Sequence, residues 1–235
     1  WGSGGSFWSA STSVTGHIAT YLDYGTVTDW TDTNNLYVAL QVVAANTAPV
    51  LDATASPTLT GVSAGAAAPV NGTTTGSDLV SSLVTGITDA DSGASKGIAI
   101  TGVHAGATLY YSTNGGTTWS FKLATELTTS NALLLNGTSR VFYASALNDN
   151  GAKTAFWYRG WDQTNSATVG SLVDVGVSNT AGVNGGTTAY SAALGTVGIT
   201  ITAVNDVPVL ATTSTLAYTE NAAATAINAA LTVSD

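Results

Sequence analysis

The sequence predicts an all-β chain of sandwich domains in series, and three features carry the prediction. Short runs rich in Val, Ile, Thr and Tyr alternate with Gly, Asn and Asp throughout, the pattern of half-buried strands joined by turns. Helical signals are few: the alanine-rich stretch 221–231 is interrupted by Thr225 and Ile227 and has no charged face for water, so it reads as strand and loop. Finally, the run Asn46-Thr47-Ala48-Pro49-Val50-Leu51 returns as Asn205-Asp206-Val207-Pro208-Val209-Leu210, which sets a domain period.

In chain order, a Val/Ala-containing strand over 36–45 leads into the first Pro run. Strands follow at 98–103, 108–112, 140–144, 155–159 and 197–204, each a β-branched or aromatic run. Between Tyr111 and Phe121, Asn114-Gly115-Gly116 supplies residues that tolerate positive φ, so 111–121 reads as a tight hairpin. Pro after a strand has no N–H for a ladder and forbids helix continuation, so both Pro runs read as stiff, extended linkers. The expected organisation is the C-terminal part of a preceding β domain, or a strand-donating segment, over 1–45, one complete sandwich over 46–205, and the start of a further repeat over 206–235. A complete domain of that size exceeds an immunoglobulin-type sandwich and predicts long loops at 70–78 and 176–186.

Composition narrows the function. The net charge is −9, and the five bases, Lys96, Lys122, Lys153, Arg140 and Arg159, are scattered, so neither nucleic acid nor an anionic membrane surface is an expected partner. Gly, Thr, Ser or Asn interrupts every hydrophobic stretch before the ~18 apolar residues of a helical span, so no membrane insertion is expected. With no cysteine, thiol catalysis, thiolate metal sites and disulfides are excluded. An acidic, cysteine-free, Thr/Gly/Ala-rich chain suits large secreted bacterial proteins, and an extracellular, cell-surface location is expected.

Several fragments in order resemble the cadherin-like (immunoglobulin-like) tandem repeats of giant bacterial surface proteins, the RTX-type adhesin and VCBS-like repeats. They are Thr88-Asp89-Ala90-Asp91-Ser92-Gly93 with the strand after it, Tyr111-Ser112-Thr113-Asn114-Gly115-Gly116-Thr117-Thr118-Trp119, Tyr158-Arg159-Gly160-Trp161-Asp162-Gln163-Thr164, Gly185-Gly186-Thr187-Thr188-Ala189-Tyr190-Ser191, and the junction Ile201-Thr202-Ala203-Val204-Asn205-Asp206-Val207-Pro208. The opening of the last unit, Glu220-Asn221-Ala222 through Leu231-Thr232-Val233-Ser234-Asp235, is similar to the same family. The resemblance implies a β-sandwich in series, a spacer role in adhesion or matrix building, and calcium at the junctions. Two departures stand out: Thr47 replaces the Asp of the second junction, and Ser63-Ala64-Gly65 stands where such repeats carry acids. The aromatic-rich segment 1–45 matches no repeat of this kind.

Calcium takes six to eight oxygens from carboxylates, amides and carbonyls. Asp89 and Asp91, spaced i and i+2 in a Gly-containing turn, present two carboxylates to one ion, downstream of the linker residue Asn46. The resemblance adds Asp162, after an apolar strand, near the same domain edge. The second junction offers Asn205, Asp206 and Asp235, the last matching Asp89 in the next unit. Glu220 belongs to the far end of that unit, because an extended chain carries it about 46 Å from Asp206 at ~3.3 Å per residue. The bland alternative for each Asp is a turn residue capping its own backbone.

Other chemistries find less support. Ser112 to Trp119 resembles an Asp-box, Ser-x-Asp-x-Gly-x-Thr-Trp, with Asn114 for the Asp; sialidase-type chemistry needs an arginine cluster that two arginines do not supply. His17 and His104 are isolated, Glu126 and Asp162 have no sequence reason to face one another, and Gly2 to Gly5 lacks the helix and lysine of a phosphate loop. No enzyme activity is expected. Trp119, Trp157, Trp161 and Tyr158 suit either a sugar-stacking platform or a core; strand alternation puts Trp157, Arg159 and Trp161 on one face and Phe156 and Tyr158 on the other, which favours a Trp-lined core with Arg159 buried at its edge or stacked on an indole. Asn71-Gly72-Thr73 and Asn136-Gly137-Thr138 are glycosylation sequons. The expected function is a non-enzymatic structural or adhesion repeat, with neighbouring repeats or copies of itself as partners. The alternatives are a subunit of a self-assembling filament, sheath or surface layer, its end segments completed by strand addition, and a module that binds surface glycans.

Overall fold

Strands form where β-branched and aromatic runs meet turn residues. The computed structural model describes residues 45–176, 184–205, 207, 209–211, 219–223 and 232–234. In order the strands are β1 (Val50–Leu51), β2 (Val62–Ser63), β3 (Asp78–Leu79), β4 (Ile87–Thr88), β5 (Gly97–Val103), β6 (Thr108–Ser112), β7 (Ser120–Leu123), β8 (Ala132–Asn136), β9 (Arg140–Ala144), β10 (Gly151–Trp161), β11 (Leu172–Val173), β12 (Gly195–Thr202), β13 (Val209–Ala211) and β14 (Thr232–Ser234). One helical turn, α1 (Val80–Leu83), is the only helix among the described residues. It buries Val80 and Leu83 and lacks a side-chain N-cap, which is why no sequence signal announces it.

The strands build a six-stranded sheet, β11-β8-β5-β10-β12-β2, and a four-stranded sheet, β3-β9-β6-β7, with β1-β4 and β13-β14 as separate pairs. The two larger sheets share one interior: Ile98, Ile100, Leu133, Leu135, Phe156 and Tyr158 of the first join Leu109, Val141 and Tyr143 of the second. The chain is thus all-β and sandwich-like. The hairpin at 111–121 is β6-β7, in register Tyr110↔Phe121 and Tyr111↔Ser120, with Gly115 and Gly116 at positive φ as the turn requires.

The six-stranded sheet is also covered on its other face. Ala99, Ala132, Leu134 and Trp161 pack there with Val175, Ala189 and Tyr190 from the excursion between β10 and β12. Alternation is broken by a bulge near Ala155 but holds over 156–161 of β10, where both faces are interior near the strand's end: Phe156 and Tyr158 enter the shared core, while Arg159 and Trp161, 0% and 1% exposed, face the smaller one. Trp157 departs from the expected Trp-lined core. It lies over Gly102 and stays 38% exposed. Arg159 is held by main-chain oxygens instead of an acid: its Nη1 donates to Ser191 O (3.0 Å) and Ala192 O (2.6 Å), and its Nη2 to Gly176 O (3.3 Å). Burial lowers its pKa.

Residues 70–77 are irregular up to β3, as expected of a long loop. Of the loop expected at 176–186, residues 177–183 lie outside the described residues, as do 1–44, 224–231 and the strand expected over 36–45. The last long strand ends at Thr202, short of the expected 204, and Val204 is exposed.

Register fixes the two ends of the fold. β10 is antiparallel to β12, with Gly151 opposite Ile201 and Tyr158 opposite Gly195. Asn46 bonds to Asp162, just past the last residue of β10, whereas Thr202 leaves the sheet near the first. The chain therefore enters at one end of the sheet and exits at the other, separated by the ~33 Å that an 11-residue strand spans.

Candidate functional site

The entry end collects four of the eight residues that the sequence singles out: Asn46, Asp89, Asp91 and Asp162. The segment before β1 and two turns bring them there. β1 pairs with β4 (Leu51↔Ile87), so the linker residue Asn46 and the turn after β4 lie at the same end, and Asp162 follows β10. In the turn after β4, the Asp91 N–H donates to Asp89 Oδ1 (2.9 Å), and Asp91 Oδ2 accepts from the Thr47 N–H (2.7 Å). Asp162, 3% exposed, accepts at Oδ1 from the Thr164 N–H (2.8 Å) and hydroxyl (2.6 Å), and at Oδ2 from Asn46 Nδ2 (2.9 Å). Asn46 Nδ2 also donates to the Thr188 and Thr187 carbonyls (3.0 and 3.3 Å), and the Ala48 N–H donates to Gly186 O (2.9 Å). The linker is thereby fastened to the domain at three consecutive residues.

One atom at this end lacks a partner. Asp89 Oδ2 is buried and accepts no hydrogen bond. A buried carboxylate oxygen without a donor is costly, and a cation or ordered water removes the cost. Among the described residues no three acidic or histidine side chains converge into a metal-binding group. The oxygens at this end are carboxylates on two turns and the Thr187 and Thr188 carbonyls, which accept from Asn46 Nδ2.

The remaining predicted residues lie elsewhere. Asn205 is exposed beyond β12 at the exit end, where it has an interaction partner. Glu220 is exposed in the turn 219–223, and Asp206 and Asp235 lie outside the described residues. Thr164 is the residue that sequence reading passed over: Asp162-Gln163-Thr164 is an Asp-x-Thr turn, the same motif as Asp52-Ala53-Thr54, where the Thr54 hydroxyl (2.6 Å) and N–H (2.9 Å) hold Asp52 and lower its pKa.

The Asp-box-like hairpin is closed by its own bonds. Asn114 Oδ1 accepts from Ser112 Oγ (2.8 Å) and the Thr118 N–H (3.0 Å), and Asn114 Nδ2 donates to Thr118 Oγ1 (2.9 Å). The Gly116 N–H donates to Ser112 Oγ (2.8 Å), and the Trp119 indole to Thr73 O (3.1 Å). Of the aromatic set, Tyr158 and Trp161 are buried in the two separate interiors, so the four rings form no common surface. Among acids, Glu126 caps β7 by accepting from the Leu123 N–H (2.7 Å), which lowers its pKa, with Lys122 beside it.

Comparison with known protein families, with curated proteins and with solved structures found no match in any of the three.

Proposed function

We propose that this chain is a non-enzymatic structural repeat that extends and stiffens an extracellular bacterial surface or matrix protein, with calcium bound at the entry end of the domain. The observation that carries the reading is the buried, unpartnered Asp89 Oδ2 beside a linker whose residues 46–48 are fastened to three turns. Asp89 and Asp91 would supply carboxylates to the ion, with Asn46 and Asp162 at the same end of the domain, and calcium would lock the linker to the turns. Entry and exit at opposite ends of the sheet suit domains in series, with 46–205 as the repeat, and Asn205, Asp206, Glu220 and Asp235 would serve neighbouring units. The sequence resemblance to cadherin-like repeats points the same way.

The test is thermal unfolding of the chain in calcium and in chelator. Binding to the native state alone stabilises by about 2.7 kcal/mol at ~100-fold excess over Kd, so the melting temperature rises with calcium. Equal melting temperatures in the two buffers refute the calcium part of the reading. Small-angle scattering tests the spacer part: tandem copies must give an extended particle whose maximum dimension grows with each copy.

A further inference from the structure

We infer that the segment 57–64 and strand β12 form a mechanical clamp that resists tension applied between the two ends of the domain. This rests on the spacer reading for its purpose but not for its geometry. After β1 the chain crosses to the edge of the six-stranded sheet and runs beside β12 in the same direction, the only parallel pairing among the described strands. Thr58 bridges Gly198, Val62 stands opposite Ile201, and Ser63 opposite Thr202. The Gly198 N–H donates to Pro57 O (2.8 Å), the Leu59 N–H to Gly198 O (2.8 Å), and the Ala64 N–H to Thr202 O (2.9 Å). Side chains tighten the seam, for Leu59, Val62 and Ile201 are buried in the shared core, and a Cβ on Gly61 would lie 3.0 Å from Thr200 O.

The direction of pairing decides how these bonds meet a load. Once the bonds of residues 46–48 and the short β1-β4 pair have yielded, a pull on the chain at residue 45 draws 57–64 toward the entry end, and a pull at residue 204 draws β12 toward the exit end. The two parallel segments then slide past each other, and every bond between them is loaded together. An antiparallel hairpin pulled at its open end gives way one bond at a time. Each bond contributes only ~1 kcal/mol net, so resistance comes from loading them at once. Forced unfolding is governed by the unfolding rate rather than by equilibrium stability, and such a seam slows that rate.

The chain has no cysteine, so introduced ones are unique anchors. Two versions of the full chain, Ser56→Cys with Val204→Cys and Ala67→Cys with Val204→Cys, are pulled in an optical trap; all three positions are exposed. The first pair loads the seam in shear, and the second peels it from the Ala64–Thr202 end. The expected result is a rupture force several-fold higher for the first pair, in calcium and in chelator alike. Equal forces for the two pairs overturn the clamp, as does a difference that disappears in chelator, because the force would then depend on the entry end rather than on the seam. Failure of the spacer reading appears in scattering of tandem copies and leaves this force ratio untouched.

Discussion

The turn at Ser112–Trp119 and the turns at the entry end are built from the same materials, short polar side chains on glycine-punctuated loops, and they finish differently. In the hairpin, Ser112, Asn114, Thr118 and Trp119 satisfy one another and the loop at 71–74. At the entry end, Asp162 and Asp91 are likewise held, but Asp89 keeps a buried oxygen with no donor. Resemblance to a sugar-hydrolase motif marks a folding device at the first place, whereas an unfinished network marks a candidate site at the second. A closed polar network specifies structure, whereas a buried carboxylate oxygen without a donor leaves room for a water or a cation.

The comparison breaks first at the hairpin if its closure is dispensable. Gly116 has φ +98°, and a Cβ there would lie 2.8 Å from Thr73 O. Gly116→Val is expected to cost about 4 kcal/mol from backbone strain and overlap together, by denaturant unfolding, with no dependence on calcium. A calcium-dependent loss would tie the hairpin to the entry end and dissolve the contrast.

A smaller effect is expected from Arg159→Met. It removes the donor from three carbonyls in the smaller core, and a loss of about 3 kcal/mol is expected, again equal in calcium and chelator. Chemical denaturation of the variant in both buffers checks it.

The smallest effect concerns an orphan atom in an apolar setting. Tyr143 Oη is buried without a partner, and burial, with the nearby charge of Asp149, pushes its pKa up to about 12. Tyr143→Phe removes an unsatisfied hydroxyl and is expected to leave stability unchanged or raise it by up to ~1 kcal/mol. The folded pKa lies above the ordinary value of 10.0, so the stability tied to the neutral phenol is intact below pH 10 and falls as pH rises toward 12. Alkaline unfolding curves should lose that slope in the variant, and an unchanged slope would assign it to other groups.

Much of this fold was legible in the sequence because strands announce themselves by side-chain type. The β-branched and aromatic runs at 98–103, 108–112, 140–144 and 155–159 are strands, and Asn114-Gly115-Gly116 is a hairpin turn. The second interior was not legible. Its lining residues Val175, Ala189 and Tyr190 come from an excursion whose described residues form little regular structure, and nothing local shows that they fold back over Ala99 and Leu134. The carbonyls that hold Arg159 are equally hidden, since 176, 191 and 192 are ordinary loop positions. At the candidate site the sequence supplied Asp89, Asp91 and Asp162 as residues, but not that Asn46 turns its amide nitrogen to Asp162 and two loop carbonyls. That orientation is set by tertiary contacts across more than a hundred residues of chain.

Calcium at the entry end is proposed from Asp89, and replacing that carboxylate should reverse the order of two melting temperatures. Thermal unfolding is measured for the wild-type chain and for Asp89→Asn, each in millimolar calcium and in chelator. Without calcium the variant lacks a charge set beside Asp91 and should melt at or above the wild-type temperature. With calcium the wild type gains the binding energy and the variant does not, so the order should invert, with the wild type the more stable. A wild-type melting temperature that does not move with calcium, or a variant that rises as far as the wild type does, would contradict the account.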